Sequence, residues 1–160
     1  MLTRSTLLRL ETQLEAVPLL LSGATSEAIL LRPPSDQWSA HENLAHLARH
    51  HRIFLDRLQR ILTESAPQLG QYRAEEDSIW PEWSALSTEQ VLNRLGTLRG
   101  EIINVVNVLT PAETSRVGIH PLFGEMSLAL WLEFFLLHEA HHLYVVMTRL
   151  GQAKRSLDSH

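Results

Sequence analysis

Apolar residues recur along this chain at three- and four-residue spacing, with polar residues between them, and this pattern occupies four stretches. In residues 3–23, Leu7, Leu8, Leu10, Leu14, Val17 and Leu21 share one helical face, and Pro18 predicts a kink or a weakened start. Ser39 followed by Glu42 has capping-box spacing, so a second helix is predicted to begin there and to run through Leu44, Leu47, Phe54, Leu58 and Ile61 until Pro67 and Gly70 end it. Ser87 and Gln90 repeat that spacing ahead of a third stripe, Val91 to Leu109, which Pro111 stops. Ser127 is a predicted N-cap for a fourth helix carrying Trp131, Phe134, Phe135, His138, His142 and Val145, with Gly151 as its C-terminal stop.

Between these stretches lie breakers. Gly23 to Gln37 reads as a connector with one short helical turn around Ala28, and the segment up to about Ala85 reads as a loop that holds Trp80, Pro81 and Trp83. The segment from Pro111 to Met126 reads as a second long loop. Four amphipathic helices without a period-two stretch or an internal repeat predict an all-α four-helix bundle, with residues 1–160 forming a single domain.

Composition narrows the chemistry. The chain has 160 residues, with 14 basic against 18 acidic side chains and a net charge of −4, so no nucleic-acid partner is expected. It has no cysteine, which excludes disulfides, thiolate metal sites and a cysteine nucleophile. There is no secretory leader pattern and no apolar run near the roughly 20 residues of a membrane span, so a soluble cytoplasmic protein without a membrane partner is expected. Nine histidines are the exception to an ordinary composition, and they cluster at His41, His46, His50 and His51 and again at His138, His141 and His142.

His138 and His142, four residues apart on one helix, place their Cβ atoms about 6 Å apart on a single face, a natural two-point clamp for a metal. Among aromatic neighbours such imidazoles need a polar partner, which hydrogen bonds across the core can also supply. His138 to His142 also reads H-E-x-x-H, the zinc-protease pattern. Val145 and Thr148 stand where the downstream Gly and His of that extension belong, and no Glu follows to serve as a third ligand, so a third ligand must come from upstream. His41, His46, His50, His51 and His120 are all candidates, and periodicity does not choose among them: His51 lies nearest the centre of its stripe, with His46 and His50 on the flank.

The run Trp38-Ser39-Ala40-His41-Glu42-Asn43-Leu44-Ala45-His46-Leu47 resembles the W-S-x-x-E-x-L-x-H-L segment of the DinB-like (YfiT-like) superfamily, and His138 to His142 resembles its H-x-x-x-H. Leu30 to Pro34 and His120-Pro121 with Gly124 extend the similarity over nearly the whole chain. That resemblance implies an up-down-down-up bundle, often dimeric, with His46, His138 and His142 as ligands of one divalent ion, zinc or nickel ahead of iron or manganese. It also implies a metal-dependent enzyme that activates water or a low-molecular-weight thiol for hydrolysis or transfer to a small electrophile. A non-catalytic, stress-related metal- or ligand-binding protein is the rival reading.

Glu139, His120 and His50 are the candidate catalytic residues. Glu139, at about 100° from His138 around the helix, can orient a ligand, act as a base or lie in solvent. His141 is expected in a supporting or exposed position. Trp80, Trp83 and Trp131 are expected in the core, with a pocket wall as the alternative. Arg149 is an anion-binding candidate whose ordinary reading is a solvated residue near a helix C-terminus.

Overall fold

A computed structural model describes residues 2–159. Four long helical segments form the bundle expected from the sequence. The first is built of α1 (Arg4–Thr12), a 3-10 turn (Gln13–Glu15) and α2 (Ala16–Leu21). The turn sits where the missing N–H and the ring of Pro18 disturb the preceding turn of helix, which accounts for the predicted kink. A single turn, α3 (Ser26–Leu30), follows, capped by the Thr25 hydroxyl on the Ala28 N–H.

The second long helix, α4 (Ala40–Thr63), opens on a complete capping box: the Ser39 hydroxyl accepts from the Glu42 N–H, and the Glu42 carboxylate accepts from the Ser39 N–H. Ser87 and Gln90 do the same for the third, α6 (Thr88–Asn107). Between them the predicted loop contains a further short helix, α5 (Trp80–Ser84), with Pro81 in its first turn, where the absent proline N–H costs no hydrogen bond.

The stretch after α6 departs from the all-loop expectation. Thr110 and Glu113 form a third capping box that starts α7 (Pro111–Thr114), and β1 (Val117–His120) pairs antiparallel with β2 (Gly124–Ser127). Four residues per strand are too few for an alternating pattern to stand out. The hairpin is secured by tertiary hydrogen bonds: Ile119 donates to the Pro67 carbonyl (2.8 Å), and Leu69 donates to the Ile119 carbonyl (2.9 Å).

The fourth long helix, α8 (Leu128–Asp158), continues past Gly151, which corrects the predicted stop. A helical glycine costs only about 1 kcal/mol. Ala153, 3% exposed, anchors the last two turns to the protein.

The core falls into two apolar clusters. One gathers Leu10, Phe54, Leu58, Ile102, Val106, Trp131, Leu132 and Phe135; the other gathers Val17, Leu44, Ala48, Val91, Leu95, Leu143 and Val146. Every long helix contributes to both, and between its two contributions each carries inward polar residues: Gln13, then His50 and His51, then Arg99, then His138 and Glu139. A largely buried polar layer therefore crosses the bundle between two hydrophobic halves. No helix of the described residues is long and apolar enough to cross a membrane.

Candidate metal centre

The polar layer holds three imidazoles that converge. His46 on α4 and His138 and His142 on α8 each offer a ring nitrogen, and these atoms all lie within 4.8 Å of one another. His46 Nε2 is 3.1 Å from His138 Nε2. Donors that share one ion at about 2.0–2.1 Å stand roughly 3 Å apart, so this edge has the length of a coordination edge. The ring centroid of His46 is 4.4 Å from that of His142 and 5.1 Å from that of His138.

The outer nitrogens are treated differently. His142 Nδ1 lies 2.8 Å from Asn43 Oδ1, and because an amide oxygen only accepts, Nδ1 carries the proton and Nε2 keeps its lone pair. Asn43 is itself fixed, since its amide donates to the Ser39 carbonyl (2.8 Å) at the cap of α4. His46 Nδ1 and His138 Nδ1 are buried without a hydrogen-bond partner among the described residues. Burial, followed by the neighbouring imidazoles, pushes the pKa of His46 down to about 3, of His138 to about 2 and of His142 to about 4. All three rings are therefore neutral near pH 7, the form in which imidazole donates a lone pair to a cation.

Trp38, Trp80 and Tyr72 wall the cluster, with ring centroids 5.1, 6.2 and 5.4 Å from His46. Of the tryptophans expected in the core, Trp131 is fully buried and donates to the Gly118 carbonyl, and Trp83 packs in the second apolar cluster under Arg94. Trp80 is the one of the three whose ring lies against His46. Trp38, Tyr72 and Asn43 were not legible as site residues, because their placement follows from packing between distant segments.

The remaining histidines divide. His50 is buried, with its ring 3.9 Å from that of His138. His120 is buried in the hairpin, and its Nδ1 accepts from the backbone N–H groups of Leu122 and Phe123. His41 bridges Thr88 Oγ1 and the Ser84 carbonyl, tying α4 to the start of α6. His141 is exposed.

Glu139 neither faces the cluster nor lies in solvent. It is fully buried; Oε1 accepts from Gln13 Nε2 (2.8 Å), and Oε2 accepts from Arg99 and lies 3.1 Å from His51 Nε2. Burial alone would raise the pKa of this carboxyl, but His51, Arg99 and Gln13 hold it below its ordinary value. Its partners come from three other helical segments, which the motif around it does not reveal.

Arg149 is not free for an anion either. It donates to the Trp38 carbonyl (3.0 Å) and to Gln37 Oε1 (2.5 Å), pinning the segment ahead of α4 onto α8.

The fold and the site together define a four-helix bundle whose polar layer brings three imidazoles into convergence. The chain belongs to the DinB superfamily, whose family model matches residues 9–146. It is 25% identical over 147 residues to an uncharacterized Bacillus subtilis protein, YuaE, covering 84% of this chain and 88% of that one. Two relatives, from Bacillus mycoides and Oceanobacillus iheyensis, carry the name "Putative metal-dependent hydrolase". They are 27% and 26% identical, each match covers 66% of this chain, and the chain spans 60% and 61% of their lengths. The solved structure of Bacillus subtilis YfiT, itself described as a "probable metal-dependent hydrolase with an unusual four-helix bundle topology", superposes with a TM-score of 0.77 over 99% of this chain and 91% of that chain. At 18% identity that likeness carries the fold.

Proposed function

We propose that His46, His138 and His142 hold one divalent metal ion and that the chain is a metal-dependent enzyme, a hydrolase acting on a small electrophilic substrate. The observation that carries this reading is the convergence of three neutral ring nitrogens within 4.8 Å of one another, on one buried and two half-buried imidazoles. The names of the two relatives support the metal dependence and the reaction class. Three imidazole donors suit zinc or nickel, with iron and manganese next, and leave coordination positions free, as catalytic sites do.

His46, His138 and His142 would hold the ion, which would supply Lewis acidity to make a water or a low-molecular-weight thiol a better nucleophile near neutral pH. The protein's own groups set the stage. Asn43 fixes the tautomer of His142, the aromatic walls of Trp38, Trp80 and Tyr72 limit water around His46, and His50 backs His138. His50 and His120 line a cavity that His138 also lines, where His120 presents a neutral Nε2–H donor to a bound substrate.

Elemental analysis of the purified protein beside His142→Ala tests the reading. Wild type should carry close to one equivalent of metal and the variant much less; equal metal in both refutes the ligand assignment. Metal-dependent turnover should then be sought across activated esters and amides, with and without added thiols. Turnover that survives complete metal removal would overturn the enzymatic role of the site.

A further inference from the structure

Arg57, two turns beyond His50 on α4, is 6% exposed, and among the described residues no carboxylate lies within 4.0 Å of it. Its recorded hydrogen bond goes to a neutral acceptor, the Gly70 carbonyl, at 2.6 Å, and its guanidinium lies 5.4 Å from the Trp131 ring. The contrast with Arg99 is informative, because that equally buried arginine has Glu139. Burial lowers the pKa of Arg57 to about 10, which still leaves it charged near pH 7. A buried cation without a counter-ion is costly to maintain, so the fold either tolerates a penalty here or leaves the charge ready for an anion from outside.

The surroundings favour the second. Arg57 lines a cavity of about 200 Å³ together with His120, Tyr72, Phe123, Phe134 and His138, with no acidic side chain in its wall among the described residues; it also lines a second cavity that includes Asp56, Glu76 and Asp77, none of which pairs with it. His120 adds a second donor. Its Nδ1 accepts from two backbone N–H groups, at 3.1 and 3.2 Å, so its proton sits on Nε2, the other edge of the ring. Burial and the charge of Arg57 both lower its pKa, which keeps the ring neutral. The pocket thus presents a single positive charge, one neutral donor and flat apolar walls, and it ends at His138 of the three-histidine cluster.

We propose that this cavity is a carboxylate subsite: Arg57 receives the carboxylate of a small, flat substrate, His120 Nε2–H donates to it, and the apolar body lies along Phe123, Phe134 and Tyr72 toward the cluster. The planar fork of a guanidinium matches two carboxylate oxygens. A doubly charged phosphate would leave one of its charges unmatched beside a single buried guanidinium. The volume is below the roughly 300–1,000 Å³ of sites for drug-sized ligands, so the ligand is small. As a substrate site this rests on the metal-dependent reading above; as an anion site it does not, because neither donor belongs to the histidine triad.

The test is calorimetric titration of benzoate into the full chain after chelator treatment, with inorganic phosphate as the comparison. Metal-free wild type should bind benzoate saturably and more tightly than phosphate. Arg57→Met should weaken benzoate by about tenfold or more, the loss expected for a charged hydrogen-bonded pair. Arg57→Lys, which keeps the charge without the fork, should fall between. His142→Ala, chelated alike, should bind benzoate like wild type while carrying less metal as purified, so failure of the metal assignment and failure of the subsite are read separately. Because Arg57→Met removes an unmatched buried charge, it should melt no lower than wild type. Absence of saturable benzoate binding, phosphate binding as tight as benzoate, or Arg57→Met binding like wild type would each overturn the proposal.

Discussion

Glu139 gives the sharpest test of how the buried layer works, because a zinc-protease reading of its motif and the observed structure predict opposite phenotypes. In the structure both carboxylate oxygens are committed, one to Gln13 and the other to Arg99 and His51, and the residue is fully buried. Glu139→Gln preserves shape and removes the negative charge, leaving the Arg99 guanidinium, 5% exposed, without its counter-ion. Stranding one member of a buried ion pair costs about 3–5 kcal/mol, a large part of the roughly 5–15 kcal/mol that stabilises an ordinary domain. With a urea dependence near 2 kcal/mol per molar, the unfolding midpoint should drop by about 1.5–2.5 M. The variant should nevertheless retain metal, since Glu139 makes no approach to the triad. Removing both charges, as Glu139→Leu with Arg99→Met, should recover most of the loss, because a well-packed apolar replacement of a buried pair is often neutral. A Glu139→Gln protein within about 1 kcal/mol of wild type but unable to hold metal would refute this account and return the carboxylate to the metal site.

Other outcomes follow from the same geometry. Asn43→Leu removes the acceptor that fixes the His142 tautomer and should weaken zinc binding by about 10–100-fold in competition with a chromophoric chelator; unchanged affinity would count against that role. Gly118→Ala would place a methyl 2.8 Å from Leu69 Cδ1, 2.9 Å from Ile61 Cγ1 and 3.0 Å from Trp131 Nε1. It should therefore lose about 1–3 kcal/mol in urea unfolding, and a neutral result would mean that the hairpin can lift away from the core at little cost. For the metal-free protein, burial sets the folded-state pKa of His46 and His142 below the ordinary 6.5, so the unfolded chain takes up protons first as the pH falls. Stability should be full above about pH 6.5 and decline below it, by at most about 1.4 kcal/mol per pH unit for each such imidazole. A melting temperature equal at pH 7.5 and pH 5.5 would contradict neutral, buried rings.

Several features were legible in the sequence because their causes are local. The starts of α4 and α6 rest on hydrogen bonds between residues three apart, Ser39 with Glu42 and Ser87 with Gln90. The pairing of His138 with His142 is likewise a property of one helix. Even the disturbance near Pro18 is written into a single residue's geometry. A third capping box, at Thr110 and Glu113, has the same local cause but is masked in the sequence by Pro111, which stops α6 and at the same time starts a new turn.

The rest depended on residues far apart in the chain. Residue spacing alone did not distinguish His46 from His50 and His51; the packing of α4 against α8 brings the His46 ring nitrogen to the other two and turns His51 toward Glu139. Glu139 is buried because Arg99, forty positions earlier, and Gln13 reach it from other helices. The hairpin holds together through Pro67 and Leu69, and α8 outlasts Gly151 because Ala153 is buried beyond it. Propensity and capping act over a few residues and so can be read along a chain. Burial, and the partner each buried charge requires, are properties of the assembled bundle, where one helix supplies what another lacks.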